Sequence, residues 1–340
     1  MRSTVLTEFP HIQSAHCESG VVSNLLRHRG IDISEAMAFG VGGGLFFGYL
    51  PFIRLNGLPL VTYRSAPGSI LNRFAEIPGI DMCQEKFRSR KKAMEKLDVL
   101  LDDGIPVGLQ TGVFWLPYFP RALRFHFNAH NLVVYGKEGN EYLISDPVFP
   151  EPVRCPADDL VRARFASGAL APKGKMYYLT SVVKRFERSS LIVNGIKGVS
   201  RMMLDRPFPL IGVKGIRFLA GRLEKWPKRL GSGAADLHLG HVVRMQEEIG
   251  TGGGGFRFMY AAFLQESGKE MEEQSLGDCA ALLTEAGDRW REFAVMAARV
   301  CKGRGRPGDT YRAMAEKIRE CGLLEEKVFR QLQSWLKERL

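Results

Sequence analysis

The segment His16-Cys17-Glu18-Ser19-Gly20-Val21-Val22-Ser23-Asn24-Leu25-Leu26 sets the terms for the first half of this chain. Val21, Val22, Leu25 and Leu26 recur at helical spacing while Ser19, Ser23 and Asn24 fall on other faces, which predicts an amphipathic helix. Cys17 stands at its first turn. Unpaired backbone N–H groups and the positive end of the helix dipole at such a position stabilise a thiolate, and they bind the oxyanion formed when sulfur attacks a carbonyl. A lone cysteine is more often a small buried apolar residue, so this chemistry needs a base supplied from elsewhere.

That base is expected in the run from Phe125 to Pro147. Two β-rich segments flank Lys137-Glu138-Gly139-Asn140, a polar loop containing glycine, which predicts a hairpin. Pairing outward from Glu138 and Gly139 sets His130 opposite or nearly opposite Asp146, with Cβ atoms about 5 Å apart. A carboxylate so placed fixes the imidazole tautomer and raises its basicity, the usual way of holding a base toward a thiol. His126 competes as a base, on the same side of a continuous strand but farther from Asp146. Paired histidines four apart suit a helix as metal ligands better than a strand, so no metal site is expected. The backbone N–H of Cys17 is one candidate oxyanion donor. For the second, Gln13, His16 and Asn128 all qualify, and the sequence does not choose among them.

At 340 residues and 45% hydrophobic content the chain is long enough for two packed domains. Its six cysteines are scattered without a Cys-x-x-Cys pair, which argues against a zinc ribbon or a disulfide framework. The opening residues lack the order of a signal peptide and no apolar run reaches membrane-spanning length, so a cytoplasmic protein is expected. Most of the formal charge of +11 sits in one place. Between Lys184 and Arg229 there are twelve basic residues against three acidic ones. No nucleic-acid-binding motif accompanies them, so nucleic acid is not the expected partner; an acidic protein, an anionic surface or water alone remain. The oligomeric state is left open, a homo-oligomer included.

Along the chain, Ser34 caps an expected short helix ending at Gly40, and the glycine-rich piece from Val41 to Tyr49 lacks the Lys-Ser/Thr of a phosphate loop. It reads as a buried strand whose glycines let it pass close to the Cys17 helix. Strands are expected at 58–63, 105–113 and 176–182, with helices at 69–74, 90–101 and near Arg162. The boundary is placed near residue 184, giving domains 1–183 and 184–340. The second is read as mainly helical, with helices at 236–249, 256–265, 282–300 and 311–340. Its one peculiar stretch is Gly250-Thr251-Gly252-Gly253-Gly254-Gly255-Phe256-Arg257, either a tight interhelical turn or an anion or substrate loop using Gly252, Gly253, Gly254 and Arg257.

The segments around Cys17, Ser34 to Gly40, His130 and Asp146-Pro147 together resemble the N-terminal domain of the butirosin biosynthesis protein H family. The stretch 250–260 is similar to a motif of the helical domain that accompanies it in many members. The resemblance implies an α+β, papain-like and C39-peptidase-related cysteine fold, with an antiparallel sheet and a nucleophile helix, followed by a mainly helical domain. It implies acyl transfer: the namesake moves an aminoacyl group from an acyl carrier protein thioester onto an aminoglycoside amine. By position Cys17 matches the nucleophile, His130 the base and Asp146 the orienting acid. No bound cofactor is implied; the donor would be a phosphopantetheine thioester on a carrier protein and the acceptor a small molecule. Carrier proteins are typically acidic, so on charge alone the basic segment from Lys184 to Arg229 is the expected docking surface. A cysteine amidase or peptidase, and a non-catalytic binding module, are the rival readings.

Overall fold

The computed structural model describes residues 4–5, 9–55, 57–183, 187–249 and 252–339. The chain forms two compact units that interleave: residues 1–38 with 70–186, and 39–69 with 187–340. The expected boundary at 183/184 adjoins residues 184–186, which lie outside the described residues. A single cut also misses the excursion of 39–69, which packs with the later helices rather than with its neighbours in sequence.

The first unit comprises β1 (Thr4–Val5), α1 (Cys17–His28) and the start of α2 (Glu35–Val41). After the excursion, which holds β2 (Leu45–Leu55) and β3 (Leu58–Arg64), it continues with α3 (Ser69–Ala75), β4 (Ile80–Glu85), α4 (Arg90–Asp102) and β5 (Val107–Thr111). It is completed by β6 (His130–Glu138), β7 (Glu141–Ser145), β8 (Val153–Pro156), α5 (Ala157–Arg164) and β9 (Met176–Val182). The strands make an antiparallel sheet in the order β4-β9-β5-β6-β7-β8, with β1 also pairing with β6. Along β6 the pleat sends Leu132 and Val134 to a core shared with Leu109, Ile144, Leu97 and Leu160. Asn131 and Val133 take the alternate side, and α1 packs against this strand.

The predicted hairpin is β6–β7, closed by Gly139-Asn140 with Gly139 at φ +59°. Its register differs from the expected one. Glu138 pairs with Glu141, and an irregularity between Val134 and Gly136 shifts the ladder so that Val133 pairs with Ser145. One further step would set Asp146 against Leu132, so its carboxylate meets His130 along the diagonal rather than directly across.

The second unit sets the two-stranded β2–β3 sheet with α6 (Arg188–Ser200), α7 (Gly212–Leu223), α8 (Trp226–Leu230), α9 (Ser232–Glu247), α10 (Arg257–Glu270), α11 (Gln274–Cys301) and α12 (Tyr311–Lys337). Helix α11 starts eight residues before the expected position at 282, because polar Gln274, Ser275 and Asp278 mask a buried stripe that already begins with Leu276, Cys279 and Ala280. The glycine-rich piece at 41–49 belongs to this unit, and side chains of the same unit, Phe39 at Gly44 and Phe46 at Gly48, are what crowd its glycines. A side chain at Gly40 or Gly44 would run into the Phe263 or Phe39 ring, and Phe39 stacks on Phe256 at 5.1 Å.

Candidate active site

Cys17 is the first residue of α1 and is 8% exposed. At that position its backbone N–H has no acceptor within the helix. The sequence folds this way locally because two carboxylates brace the helix start. Glu35 accepts the backbone N–H of Ala15 at 2.9 Å and of His16 at 2.6 Å, fixing the chain just before the cysteine. Burial raises the Glu35 carboxyl above its ordinary range against these hydrogen bonds, which work the other way. Glu18, fully buried, accepts the N–H groups of Ile70 and Leu71 at the start of α3, so its charge meets a helix N-terminus.

His130 opens β6 and pairs with Thr111 of β5. Its Nε2 lies 2.7 Å from Asp146 Oδ2, and its ring packs edge-on against Phe119. Asp146 is fully buried and accepts two further hydrogen bonds, from the Tyr118 hydroxyl at 2.8 Å to Oδ2 and from the Val148 N–H at 3.2 Å to Oδ1. Burial disfavours a charged His130 ring. The Asp146 charge and hydrogen bond oppose it, Cys17 adds a hydrogen bond and charge of its own, and the ring is pushed up to about 10. With Nε2 taken by Asp146, Nδ1 is the nitrogen left for Cys17. Burial next to the Asp146 charge pushes the Tyr118 hydroxyl well above its ordinary range, so it stays a donor.

The Asp146-Pro147 turn is seated on α1 itself. Ser14 N–H donates to the Pro147 carbonyl at 2.6 Å, and a Cβ at Gly20 would lie 2.7 Å from the Pro147 Cβ. Gly20 is therefore the residue that lets the acid-bearing turn approach the first turn of the cysteine helix.

The structure brings Cys17, His130 and Asp146 together. Of the expected oxyanion side chains, Gln13 is exposed, and the His16 ring caps α1 by accepting the Ser19 N–H. Asn128 spends its amide nitrogen on the Ser167 and Ala169 carbonyls, both at 3.0 Å. Its place is a loop clamp, not a donor toward sulfur. The side chain facing Cys17 is Asn131, whose Nδ2 lies 3.9 Å from Sγ. Neither Asn131 nor Tyr118 was singled out in the sequence, although Asn131 adjoins His130. The competing base His126 is exposed in the irregular segment before β6 and stacks on Phe114 at 4.2 Å, away from Asp146.

The glycine loop of the second unit is corrected in its role. Gly250 and Thr251 lie outside the described residues; Gly252, Gly253, Gly254 and Gly255 all have positive φ. Arg257 is fully buried and faces no solvent anion: Nε and Nη2 donate to the Glu325 carboxylate at 2.9 and 2.8 Å, and Nη1 donates to the Gly255 carbonyl at 2.7 Å. Its guanidinium also lies over the Tyr63 and Trp290 rings, and the Trp290 indole donates to the same carboxylate. The Gly254 N–H is taken by Glu247, so the anion at this loop is one of the chain's own carboxylates. In the basic segment Lys184 and Arg185 lie outside the described residues, Arg188 and Arg217 pair with Glu270 and Glu326, and Lys225, Lys228 and Arg229 are exposed.

Residues 16–147 match the family model described as Butirosin biosynthesis protein H, N-terminal, and residues 158–332 match the Domain of unknown function (DUF4872). Among solved structures, a C39-like peptidase from Bacillus anthracis is similar at 16% identity over 55% of this chain and 100% of that one, with a TM-score of 0.38. No curated protein matches. Among the described residues no helix is long and apolar enough to cross a membrane.

Proposed function

The chain belongs to the family in which a butirosin biosynthesis protein H N-terminal segment precedes the helical DUF4872 domain, and from that premise we propose that it is a cysteine acyltransferase. The observation that carries this reading is a thiol at a helix mouth acting on an imidazole that a buried carboxylate holds at 2.7 Å. Asp146 raises the proton affinity of His130, so the ring takes the thiol proton and holds it as a cation, facing the Cys17 sulfur that attacks a thioester carbonyl. The ring then gives that proton to the departing thiolate, leaving an acyl group on Cys17. With the sulfur acylated, the share of the ring's basicity owed to Cys17 is gone and His130 is neutral more readily. It next takes a proton from an amine or hydroxyl acceptor as the new C–N or C–O bond forms, and hands it back to the Cys17 sulfur.

The donor we propose is a phosphopantetheine thioester on an acidic carrier protein, docking through the basic side chains of α7 and α8; the acceptor is a small molecule. Thioester exchange is nearly isoenergetic, and charge complementarity is the support for docking. Transfer rather than hydrolysis needs water kept from the acyl-enzyme, and the amine dependence of its release reads this directly.

Intact mass after incubation with acyl-carrier thioesters tests the reading. An adduct is expected on the wild type and none on Cys17→Ala, with release accelerated by added amines. Release at the same rate with and without amines would make the protein a hydrolase. Reversing Arg222, Lys225 and Arg229 to Glu is expected to slow acylation by the carrier but not by a small thioester; equal carrier rates would remove the docking surface.

A further inference from the structure

We propose that Asn131 is the side-chain donor of the oxyanion hole and that Tyr177 is the positioning residue that aims it. This rests on the reading of Cys17 as an acyl-accepting nucleophile.

Asn131 is 3% exposed and sits next to His130 on β6, its Nδ2 3.9 Å from Cys17 Sγ. An amide can present either nitrogen or oxygen, and its neighbours decide which. Nδ2 also donates to the Ala129 carbonyl at 3.1 Å, while the Tyr177 hydroxyl donates to Oδ1 at 2.9 Å. Turning the amide over would put Oδ1 against the Ala129 carbonyl, two acceptors facing each other. The orientation is thus fixed with one N–H on Ala129 and the other toward the sulfur. Burial, with the Glu18 and Cys17 charges, pushes the Tyr177 hydroxyl well above its ordinary range, so it remains protonated and keeps donating.

The sheet is built to allow this contact. Tyr177 belongs to β9 and Asn131 to β6, with β5 between them. Tyr177 pairs with Gly108 of β5, and any side chain at Gly108 would occupy the Tyr177 ring. The missing side chain gives the phenol a path across the intervening strand to Asn131.

When the Cys17 sulfur bonds to an acyl carbon, the carbonyl π pair moves onto oxygen. The Cys17 backbone N–H at the helix start and the Asn131 N–H are the donors on hand for that charge. Collapse returns the pair to the C–O bond and expels the leaving group with its bonding electrons.

Two reagents separate an oxyanion donor from a structural residue. Acylation of Cys17 by 4-nitrophenyl acetate passes through a tetrahedral oxyanion and expels 4-nitrophenolate; alkylation by iodoacetamide displaces iodide with no oxyanion. Asn131→Ala is expected to slow acylation about 100- to 1,000-fold while alkylation changes less than about tenfold. Tyr177→Phe should slow acylation about tenfold and leave alkylation unchanged. Asn131→Asp, of nearly the same shape, should lose acylation as the alanine variant does, and it decides the matter if Asn131→Ala does not fold. Acylation kept within tenfold in the Asn131 variants, or both reactions falling in parallel, would overturn the assignment. A Cys17→Ala protein that is still acylated at the wild-type rate would instead remove the nucleophile reading beneath it.

Discussion

Two clusters of buried charged groups, one in each unit, end differently. In the second unit Arg257, Glu325 and Trp290 close on themselves: the guanidinium donates to Glu325 and Gly255, the indole to Glu325, and both partners of the ion pair have fully buried side chains. In the first unit Tyr118, Val148 and His130 all donate to Asp146, but the line runs on through the other edge of the ring to a thiol. A saturated network holds a core together. A network that leaves one nucleophilic atom at its end can do chemistry. From the residues alone the glycine loop with Arg257 reads as either a turn or an anion loop, whereas His130 with Asp146 reads as a base and its orienting acid.

The contrast predicts opposite phenotypes. Cys17→Ala should abolish acyl adduct formation and leave the thermal midpoint close to wild type, measured by intact mass and calorimetry. Glu325→Gln should do the reverse, costing roughly 3–5 kcal/mol of stability by stranding a buried guanidinium, with adduct formation per folded molecule unchanged. Asp146→Asn comes next in size. Acylation should fall on the order of 10³- to 10⁴-fold, and the His130 ring should titrate nearer its ordinary value when followed by NMR, because the carboxylate that raises it is gone. Gly20→Ala is smaller: the new methyl presses on Pro147, and the shifted turn should slow acylation about 10- to 100-fold with a stability loss of about 1–3 kcal/mol.

A pH dependence with a defined sign is expected as well. His130 is raised in the folded state from 6.5 to about 10, so the stability it contributes through its protonated form is complete below about pH 6.5 and is lost as pH rises through about 10. The stability deficit of His130→Gln should therefore be largest at pH 6 and shrink toward pH 10. A deficit independent of pH would contradict the held, charged ring.

What could be read from residues alone was whatever depended on short separations. The helix from Cys17 follows from its own apolar spacing, and the hairpin from the loop ending in Gly139-Asn140. The meeting of His130 with Asp146 followed from that hairpin, although the irregularity before Gly136 moved the contact to a diagonal. What stayed hidden depended on partners set by packing. Asn131 is aimed by a tyrosine 46 residues away through a gap at Gly108, and Arg257 is neutralised by a glutamate 68 residues away. The excursion of 39–69 into the second unit was hidden for the same reason, since Gly40 and Gly44 are explained by the rings of Phe263 and Phe39.

Cys301 is exposed and Cys17 is nearly covered, so accessibility alone would make Cys301 the faster thiol. The most direct measurement is the rate of iodoacetamide labelling at each cysteine at pH 7, in the wild type and in His130→Ala. We expect Cys17 to outpace Cys301 in the wild type and to fall behind it once the imidazole is removed. Labelling of Cys17 no faster than Cys301 in the wild type, with no change in His130→Ala, would contradict a thiol coupled to that ring.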